Sequence, residues 1–321
     1  MQPYLNLLSF VKVNKSLSEL NSTFEKLLIL VKKCGATNFT LSNEYKVNNI
    51  VISLSHTDDG RNRAFVDYAN KLNPIIVYSD NSKKPKKPKI EMTNNSSILK
   101  SRQIEHLVLG GDGIHNIGFT SVCSAGFWVR TTNGSTYLAS AGHCASNGPF
   151  NPDEFVDFYH LPWDSEVTDL YIGPMVSHTI SGVDRGFILK QNDIRAVPII
   201  RNTDDTEYPE LHIIGTVDLD TVGTIVCKSG YFADISRVQC GEIIAINAEI
   251  TMGGEKYSVV KVTNMGCDGN SGAPVHQYLN ELLPNVLLAG MLIGGNNHFC
   301  EVVPLNLILT EGIHVITVNN P

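Results

Sequence analysis

The 321-residue sequence contains no long hydrophobic run, and nowhere does it approach the ~18 consecutive apolar residues of a membrane-spanning helix. We therefore expect no membrane partner. A basic surplus is also missing: the net charge is -7, whereas domains that bind nucleic acid are usually basic, so we expect no nucleic-acid partner. The absence of Cys-x-x-Cys pairs argues against a zinc ribbon or a thioredoxin-type site. The first residues lack a charged region followed by an apolar stretch and do not predict a signal peptide.

The residues that are present fit a globular protein of about two domains, with 42% hydrophobic and 18% charged residues. Their charge is unevenly distributed. Residues 1–106 hold 16 Lys+Arg and 9 Asp+Glu, a net +7, and residues 107–321 hold 9 and 23, a net -14. Two such parts attract each other electrostatically. Independent drift of two domains towards different isoelectric points is the alternative explanation.

The basic part predicts a small α+β domain over residues 1–106. Apolar spacing and β-branched content predict a helix, a strand, a helix and a strand, at 17–33, 49–55, 61–72 and 75–78. The last three form a β-α-β unit, which usually needs a further surface to complete its core. Residues 83–89, five lysines and two prolines, predict an extended, exposed linker. A nuclear-import or polyanion patch is the alternative for this run.

The acidic part, residues 107–321, has a different texture. Short β-branched or aromatic runs recur between Gly, Asn and Asp, which predicts an all-β sandwich or a pair of barrels. The predicted strands lie at 126–130, 137–141, 197–200, 224–228, 241–250, 257–262 and 286–293. Only residues 304–310 predict a short helix.

Three stretches of the acidic part carry the residue types of nucleophilic catalysis. Residues 139–144 contain His143, residues 182–188 contain Asp184, and residues 266–275 contain Ser271. A serine is a weak nucleophile until an imidazole, itself oriented by a carboxylate, takes its proton. Glycines beside the serine let backbone N–H groups face the oxyanion of acyl transfer. Each residue also has a plainer explanation: a core histidine, a turn carboxylate (with Asp169 as rival to Asp184), or a turn serine.

In this chain order, the three stretches resemble the chymotrypsin-like serine endopeptidases, nearest the branch of the streptogrisins and α-lytic protease. The resemblance covers about residues 107–309 and implies a trypsin-like pair of six-stranded β-barrels. It implies Ser271 as nucleophile, His143 as general base and then acid, and Asp184 as orienting carboxylate. The N–H groups of Gly269 and Ser271 would form the oxyanion hole. Neither a metal nor another cofactor is implied.

The resemblance also implies a pairing for the cysteines. Six of the seven lie in the acidic part, and counting alone leaves 15 pairings open. In the streptogrisin branch the pairs would be Cys123–Cys144, Cys227–Cys240 and Cys267–Cys300, with Cys34 left as a free thiol.

The substrate cleft implied by the resemblance consists of the strand Ile293-Gly294-Gly295, whose backbone would pair with the substrate, and of Met265 and Gly266 near the base of the pocket. Leu292 stands where some glutamate-selective members place a histidine. We therefore expect an apolar side chain before the cleaved bond. Asn270 replaces the aspartate found before the nucleophile in most members, which puts activation by a newly formed N-terminal ammonium in doubt. An amide could instead hold the loop through hydrogen bonds.

Relatives in this branch are made with an N-terminal pro-region that templates folding and then inhibits the enzyme. The resemblance thus implies that residues 1–106 are a propeptide, removed by a cut between Ile104 and Val108 or within the linker. A permanent accessory domain is the alternative. The expected whole is a secreted, monomeric serine endopeptidase that acts on polypeptides. Its rival is a catalytically inactive binding protein on the same fold.

Overall fold

A computed structural model describes residues 11–55, 60–79, 106–116, 122–146, 155–163, 170–191, 193–232, 236–252, 255–279 and 281–321. The predicted linker at 83–89, the residues around Ile104 and the rival carboxylate Asp169 lie outside these ranges. The helices are α1 (Leu17–Cys34), α2 (Arg63–Ala69) and α3 (Leu305–Ile308). No helix among the described residues is both long enough and apolar enough to cross a membrane.

The chain is mostly β, as predicted. The strands are β1 (Phe39–Glu44), β2 (Asn49–Ser55), β3 (Ile75–Ser79), β4 (His106–Leu107), β5 (Gly113–Asn116), β6 (Val122–Ser124), β7 (Trp128–Thr131), β8 (Thr136–Ser140), β9 (Val156–Leu161), β10 (Tyr171–Thr179), β11 (Arg185–Leu189), β12 (Ile194–Arg195), β13 (Ile199–Arg201), β14 (Glu210–Thr216), β15 (Ile225–Ser229), β16 (Val238–Met252), β17 (Glu255–Thr263), β18 (Pro274–Tyr278), β19 (Asn285–Gly295), β20 (Phe299–Pro304) and β21 (Ile313–Val315). Each run that the sequence predicted to be a strand overlaps one of these, and α3 lies within the predicted C-terminal helix.

Two sheets contain most of the strands in the described residues. In the first sheet the order is β21-β7-β8-β11-β10-β9-β5-β6. In the second sheet the order is β13-β14-β19-β18-β15-β16-β1-β2-β3, with β17 pairing with β16 and β20, and β20 pairing with β17 and β19. The division into two barrels of six strands each stays a prediction.

The basic part forms an N-terminal lobe, residues 11–79, with a core of its own. Its helix α1 begins where Ser16 and Glu19 form a reciprocal capping box and ends at Gly35, whose φ of 62° is left-handed. Leu27 and Phe65, from the two helices, are fully buried in this core together with Ile52 of β2. The predicted elements are therefore present.

Strand β1 was not predicted from the sequence, and it joins the lobe to the rest of the chain. β1 pairs antiparallel with β2 on one side and with β16 on the other. Phe39 and Leu41 point into the lobe core, while the alternate residues Thr40 and Ser42 are buried on the opposite face. The predicted β-α-β unit is present, since β2 and β3 pair in parallel with α2 between them in the chain, and α1 and β1 precede it. Its incomplete core is closed partly by α1, and its sheet continues into the second sheet.

Three disulfides connect strands and turns of the acidic part. They join Cys123 to Cys144, Cys227 to Cys240 and Cys267 to Cys300, while Cys34 is a free thiol. The first holds β6 against the turn that follows β8. The third lies between the turn after β17 and β20. Both therefore end beside the motifs that the sequence singled out.

Candidate active site

His143 lies in a single 3-10 turn, Gly142–Ala145, directly after β8. The turn packs closely on the first sheet: a Cβ added at Gly142 would collide with the carbonyl oxygens of Thr179 and Arg185. Glycine is therefore needed for the histidine to approach this edge. The imidazole is part-buried, with 32% of the side chain exposed, so it remains accessible from solvent.

Asp184 precedes β11 and orients the histidine. Because β11 pairs antiparallel with β8, Gly186 lies opposite Ser140, and the residues beyond these two strand ends meet at one edge. The Asp184 Oδ2 atom lies 2.5 Å from Nδ1 of His143, and its Oδ1 accepts the His143 backbone N–H at 3.0 Å. Asp184 is 2% exposed. The carboxylate thus places the proton on Nδ1 and leaves Nε2 as an acceptor.

Ser271 lies in a tight turn between β17 and β18, and this turn packs against the histidine segment. The carbonyl of Ser271 accepts the N–H of Ser124 at 2.7 Å, next to Cys123 and hence to the disulfide that ends beside His143. Gly272, at φ 91°, sits so close to Ser140 that a Cβ would meet its hydroxyl. The structure therefore brings the serine turn against the end of β8.

The Ser271 hydroxyl donates to the carbonyl oxygen of Ile293 at 3.2 Å. This carbonyl belongs to a bulge in β19, since the register with β20 shifts between Leu292 and Gly294. A hydroxyl has one proton to donate. The proton therefore points to the strand in this structure, and among the described residues the Ser271 hydroxyl makes no hydrogen bond to His143.

Two backbone N–H groups of the serine turn are candidates for an oxyanion hole. The turn is closed by bonds from Asn270 N–H to Cys267 and from Ala273 N–H to Asn270, at 3.1 and 3.0 Å. Within the described part of the chain, neither Gly269 nor Ser271 has its N–H engaged by another residue. Gly269 has a φ of 76°, a conformation that favours glycine.

Asn270 holds the serine turn through its amide. The Oδ1 atom accepts the N–H of Phe232 at 2.8 Å, and Nδ2 donates to the carbonyls of Gly266 and Phe232 at 2.9 and 3.1 Å. The residue is 2% exposed. A carboxylate cannot donate to these carbonyls. The amide therefore suits this environment better than the aspartate found in most chymotrypsin-like sequences.

The residues expected at the substrate cleft fall into two groups. Gly294 and Gly295 end β19 and are part-buried, beside the Ile293 carbonyl. Met265, by contrast, is 1% exposed and packs in the same apolar cluster as Cys267 and Cys300. The backbone carbonyl of Gly266 accepts a hydrogen bond from the side-chain amide of Asn270. The part of Met265 and Gly266 in a substrate pocket stays a prediction.

A second histidine–aspartate pair shows why geometry, and not the pair alone, marks the site. His160 Nε2 lies 2.8 Å from Oδ2 of Asp112, which also accepts from Arg201 and from the Leu109 N–H. Burial alone would raise the pKa of Asp112, but the hydrogen bonds from His160 and Arg201 hold it below its usual value. Asp112 is completely buried and His160 is 5% exposed. This pair supports the chain around Leu109 and has no access to a substrate.

The histidine also lies close to sulfur. The ligand atoms of His143, Cys123 and Cys144 lie within 4.8 Å of one another. The two sulfurs are bonded to each other, however, and a disulfide offers no thiolate to a metal. The trio is therefore not a candidate metal centre.

Comparisons with known proteins bear on the fold. No protein-family model matches the chain, and no curated protein matches its sequence. Among solved structures, protease A of Thermobifida fusca superposes with a TM-score of 0.50 and 20% identity, over 66% of this chain and 100% of its own. The Nocardiopsis protease NAPase gives 0.50 and 16% identity, over 65% and 99%. The chain has the fold of the chymotrypsin-like serine proteases.

The two superpositions cover about two thirds of the chain. The predicted resemblance is thereby confirmed as a fold. Sequence identities of 20% and 16% carry the comparison no further than that.

Proposed function

We propose that this protein is a serine endopeptidase that cleaves peptide bonds through an acyl-enzyme. The observation that carries the proposal is the His143–Asp184 pair, held at 2.5 Å at the strand edge on which the Ser271 turn packs. Ser271 Oγ attacks the peptide carbonyl while His143 Nε2 takes its proton. The imidazolium is stabilised by Asp184 and then protonates the leaving amine. In the second half of the reaction, a water molecule gives its proton to His143 and attacks the ester of the acyl-enzyme, and Ser271 leaves as a hydroxyl.

The negative charge that develops on the carbonyl oxygen needs donors fixed in advance. The N–H groups of Gly269 and Ser271 are our candidates, because they are not engaged elsewhere in the described chain, one belonging to the nucleophile itself and the other lying two residues before it. One such donor is worth roughly 3–4 kcal/mol of transition-state stabilisation. The peptide backbone would bind along Ile293–Gly295 as an added strand. This chemistry requires no metal or organic cofactor.

The N-terminal lobe is proposed to be a propeptide that assists folding and is then removed. Its separate core and its single strand ladder to β16 support a detachable unit. Its basic composition complements the acidic remainder. Three disulfides support an oxidising destination, so we propose secretion, and we propose that the processed enzyme is a monomer.

The rival function, a catalytically inactive binding protein on the same fold, is favoured by one observation. The Ser271 hydroxyl donates to Ile293 at 3.2 Å instead of to an imidazole. If that bond persists when a peptide occupies the cleft, the nucleophile is not activated. The two functions differ in turnover and not in binding.

Ser271→Ala tests the proposal. Incubated with a peptide library after removal of the lobe, the wild-type protein is expected to produce new amino termini, preferentially after apolar residues. The alanine variant should lose this activity by about 10⁴-fold or more, since it lacks the nucleophile. Mass spectrometry of the products measures both. Equal product formation by the two proteins contradicts the proposal, and binding by both without products supports the rival.

A further inference from the structure

A largely buried polar cluster lies where the N-terminal lobe meets strands β17 and β20 of the second sheet. At its centre Lys261 of β17, 2% exposed, places its Nζ 2.7 Å from Oε1 of Glu44. The same ammonium is 3.2 Å from the hydroxyl of Ser42 and 3.4 Å from that of Ser53. All three partners belong to the lobe. The ammonium therefore loses them when the lobe departs.

A second carboxyl group shares this cluster. Glu301 of β20 lies directly across from Lys261 in the β17–β20 register. Its Oε1 accepts the hydroxyl of Thr40, on β1 of the lobe, at 2.8 Å. In the described residues Thr40 and Lys261 face Glu301, Gly294 of β19 lies across from it on the other side, and Glu44 faces Lys261.

The charges in this cluster do not balance. Two carboxylates, Glu44 and Glu301, lie around the single ammonium of Lys261, and the ion pair at 2.7 Å belongs to Glu44. Glu44 and Glu301 are part-buried beside an ammonium that is 2% exposed, and a second negative charge in this partly desolvated site is unfavourable unless a proton neutralises it. Exposing the cluster to water relieves this cost. The protonation of Glu301 and the attachment of the lobe are therefore coupled.

We propose that Glu301 is a pH-sensitive latch between the N-terminal lobe and the second sheet, which holds the lobe more tightly when Glu301 carries a proton than when it is ionised. The latch deepens the proposed function, because a propeptide must be both held and released. It would let a rise in pH loosen the lobe before or after the chain is cut. The latch binds the lobe, which contributes Thr40 as the partner of Glu301 and Glu44 as the partner of Lys261.

The direction of the pH effect follows from linkage. Burial raises the pKa of Glu301, an effect that the Thr40 hydrogen bond and Lys261 partly offset. A carboxyl group with a higher pKa when docked contributes to docking at low pH, and the contribution is lost as pH rises from its ordinary value, near 4.5, through the docked value. Burial lowers the pKa of Lys261. The contribution of Lys261 to docking therefore has the opposite sign to that of Glu301, because it is lost as pH falls. A variant of Glu301 itself is needed to separate the two contributions.

Hydrogen exchange in the full-length chain tests the latch, with Ser271→Ala as background to prevent self-cleavage. Protection factors of the β1 amides, corrected for intrinsic exchange, are compared at pH 4.5 and pH 8. We expect protection to fall about tenfold with rising pH, because the docked lobe is held more tightly when Glu301 carries its proton. In Glu301→Gln, whose neutral amide mimics the protonated acid, protection at pH 8 should stay within about twofold of its value at pH 4.5.

Two further variants test whether the pH dependence comes from Glu301. Glu242→Gln breaks an ion pair with Lys46 that also links lobe and sheet but is largely exposed, and it should keep the pH dependence of the parent. Thr40→Val removes the donor to Glu301 and should enlarge it. Strands β8 and β11 provide the reference. The global stability of the protein is expected to rise with pH, opposite to the protection of β1. Burial lowers the pKa of His276 to about 4, so the folded state loses stability as pH falls below about 6.5.

Equal β1 protection at both pH values in the parent, or an unchanged pH dependence in Glu301→Gln, would overturn the latch. Should Glu301→Gln fail to fold, an unchanged pH dependence in Thr40→Val does the same. None of these outcomes touches the proposed peptidase activity, because the test measures no turnover. Absence of turnover in the wild-type protein, together with the expected pH dependence of β1 exchange, would overturn the peptidase and leave the latch standing.

Discussion

Asp184→Asn is expected to lower kcat about 10⁴-fold while leaving the fold intact. The carboxylate accepts the Nδ1 proton of His143 at 2.5 Å and its backbone N–H at 3.0 Å. An asparagine can keep the backbone bond. Its NH₂ group would, however, favour the tautomer with the proton on Nε2, where the imidazole can no longer accept the proton of Ser271.

The measurement is kcat for a peptide substrate, together with the thermal midpoint of unfolding. Asp193→Asn is a matched control, because Asp193 is exposed in the described structure and its only hydrogen bond there runs through its backbone carbonyl. It should change kcat less than twofold. A fall in kcat of less than about tenfold in Asp184→Asn, at full stability, would remove Asp184 from the mechanism.

Residues 107–321 refolded alone are expected to regain native structure at least about tenfold more slowly than with the lobe present in trans. Two features of the structure support this. Without the lobe, β16 loses its β1 partner, and Lys261 loses the lobe residues around its ammonium. The remaining sheets also rely on contacts between distant segments, which form slowly. Recovery of disulfide-bonded, protease-resistant protein over time is the readout.

The matched control for this experiment is a lobe that carries Leu41→Pro. Proline at the centre of β1 removes a backbone donor and disrupts pairing with both neighbours. This lobe should give no acceleration, whereas Lys46→Ala, which removes only an exposed ion pair, should act like the wild type. Rapid, complete refolding of residues 107–321 without any lobe would show that the lobe is an accessory domain and not a folding aid.

The sequence predicted what depends on local pattern. Apolar spacing gave α1, and its capping residues Ser16 and Glu19 are three positions apart, as a capping box requires. The short motifs around His143 and Asp184 predicted the pairing now seen at 2.5 Å. The order of motifs carried this prediction, since nothing in the 40 residues between His143 and Asp184 indicates which strand ends meet.

What the sequence could not predict depends on distant partners. The sequence of β1 is short and half polar, which does not indicate a buried strand. Its polar residues Thr40 and Ser42 contact Glu301 and Lys261, respectively, more than 200 residues away. Two separated charges of opposite sign, Lys261 and Glu301, gave no signal until β17 and β20 were seen to pair. The rotamer of Ser271 is equally non-local, since it depends on a bulge at Ile293.

Covalent labelling by a fluorophosphonate tests most directly whether Ser271 and His143 share a proton path. With the lobe removed, wild-type protein should form one adduct, mapped by mass spectrometry to Ser271, and His143→Ala should form almost none, because the hydroxyl then has no base. If folded wild-type protein with all three disulfides forms no adduct, or if His143→Ala labels as fast, then the hydroxyl stays with the Ile293 carbonyl and the chain is not a serine peptidase.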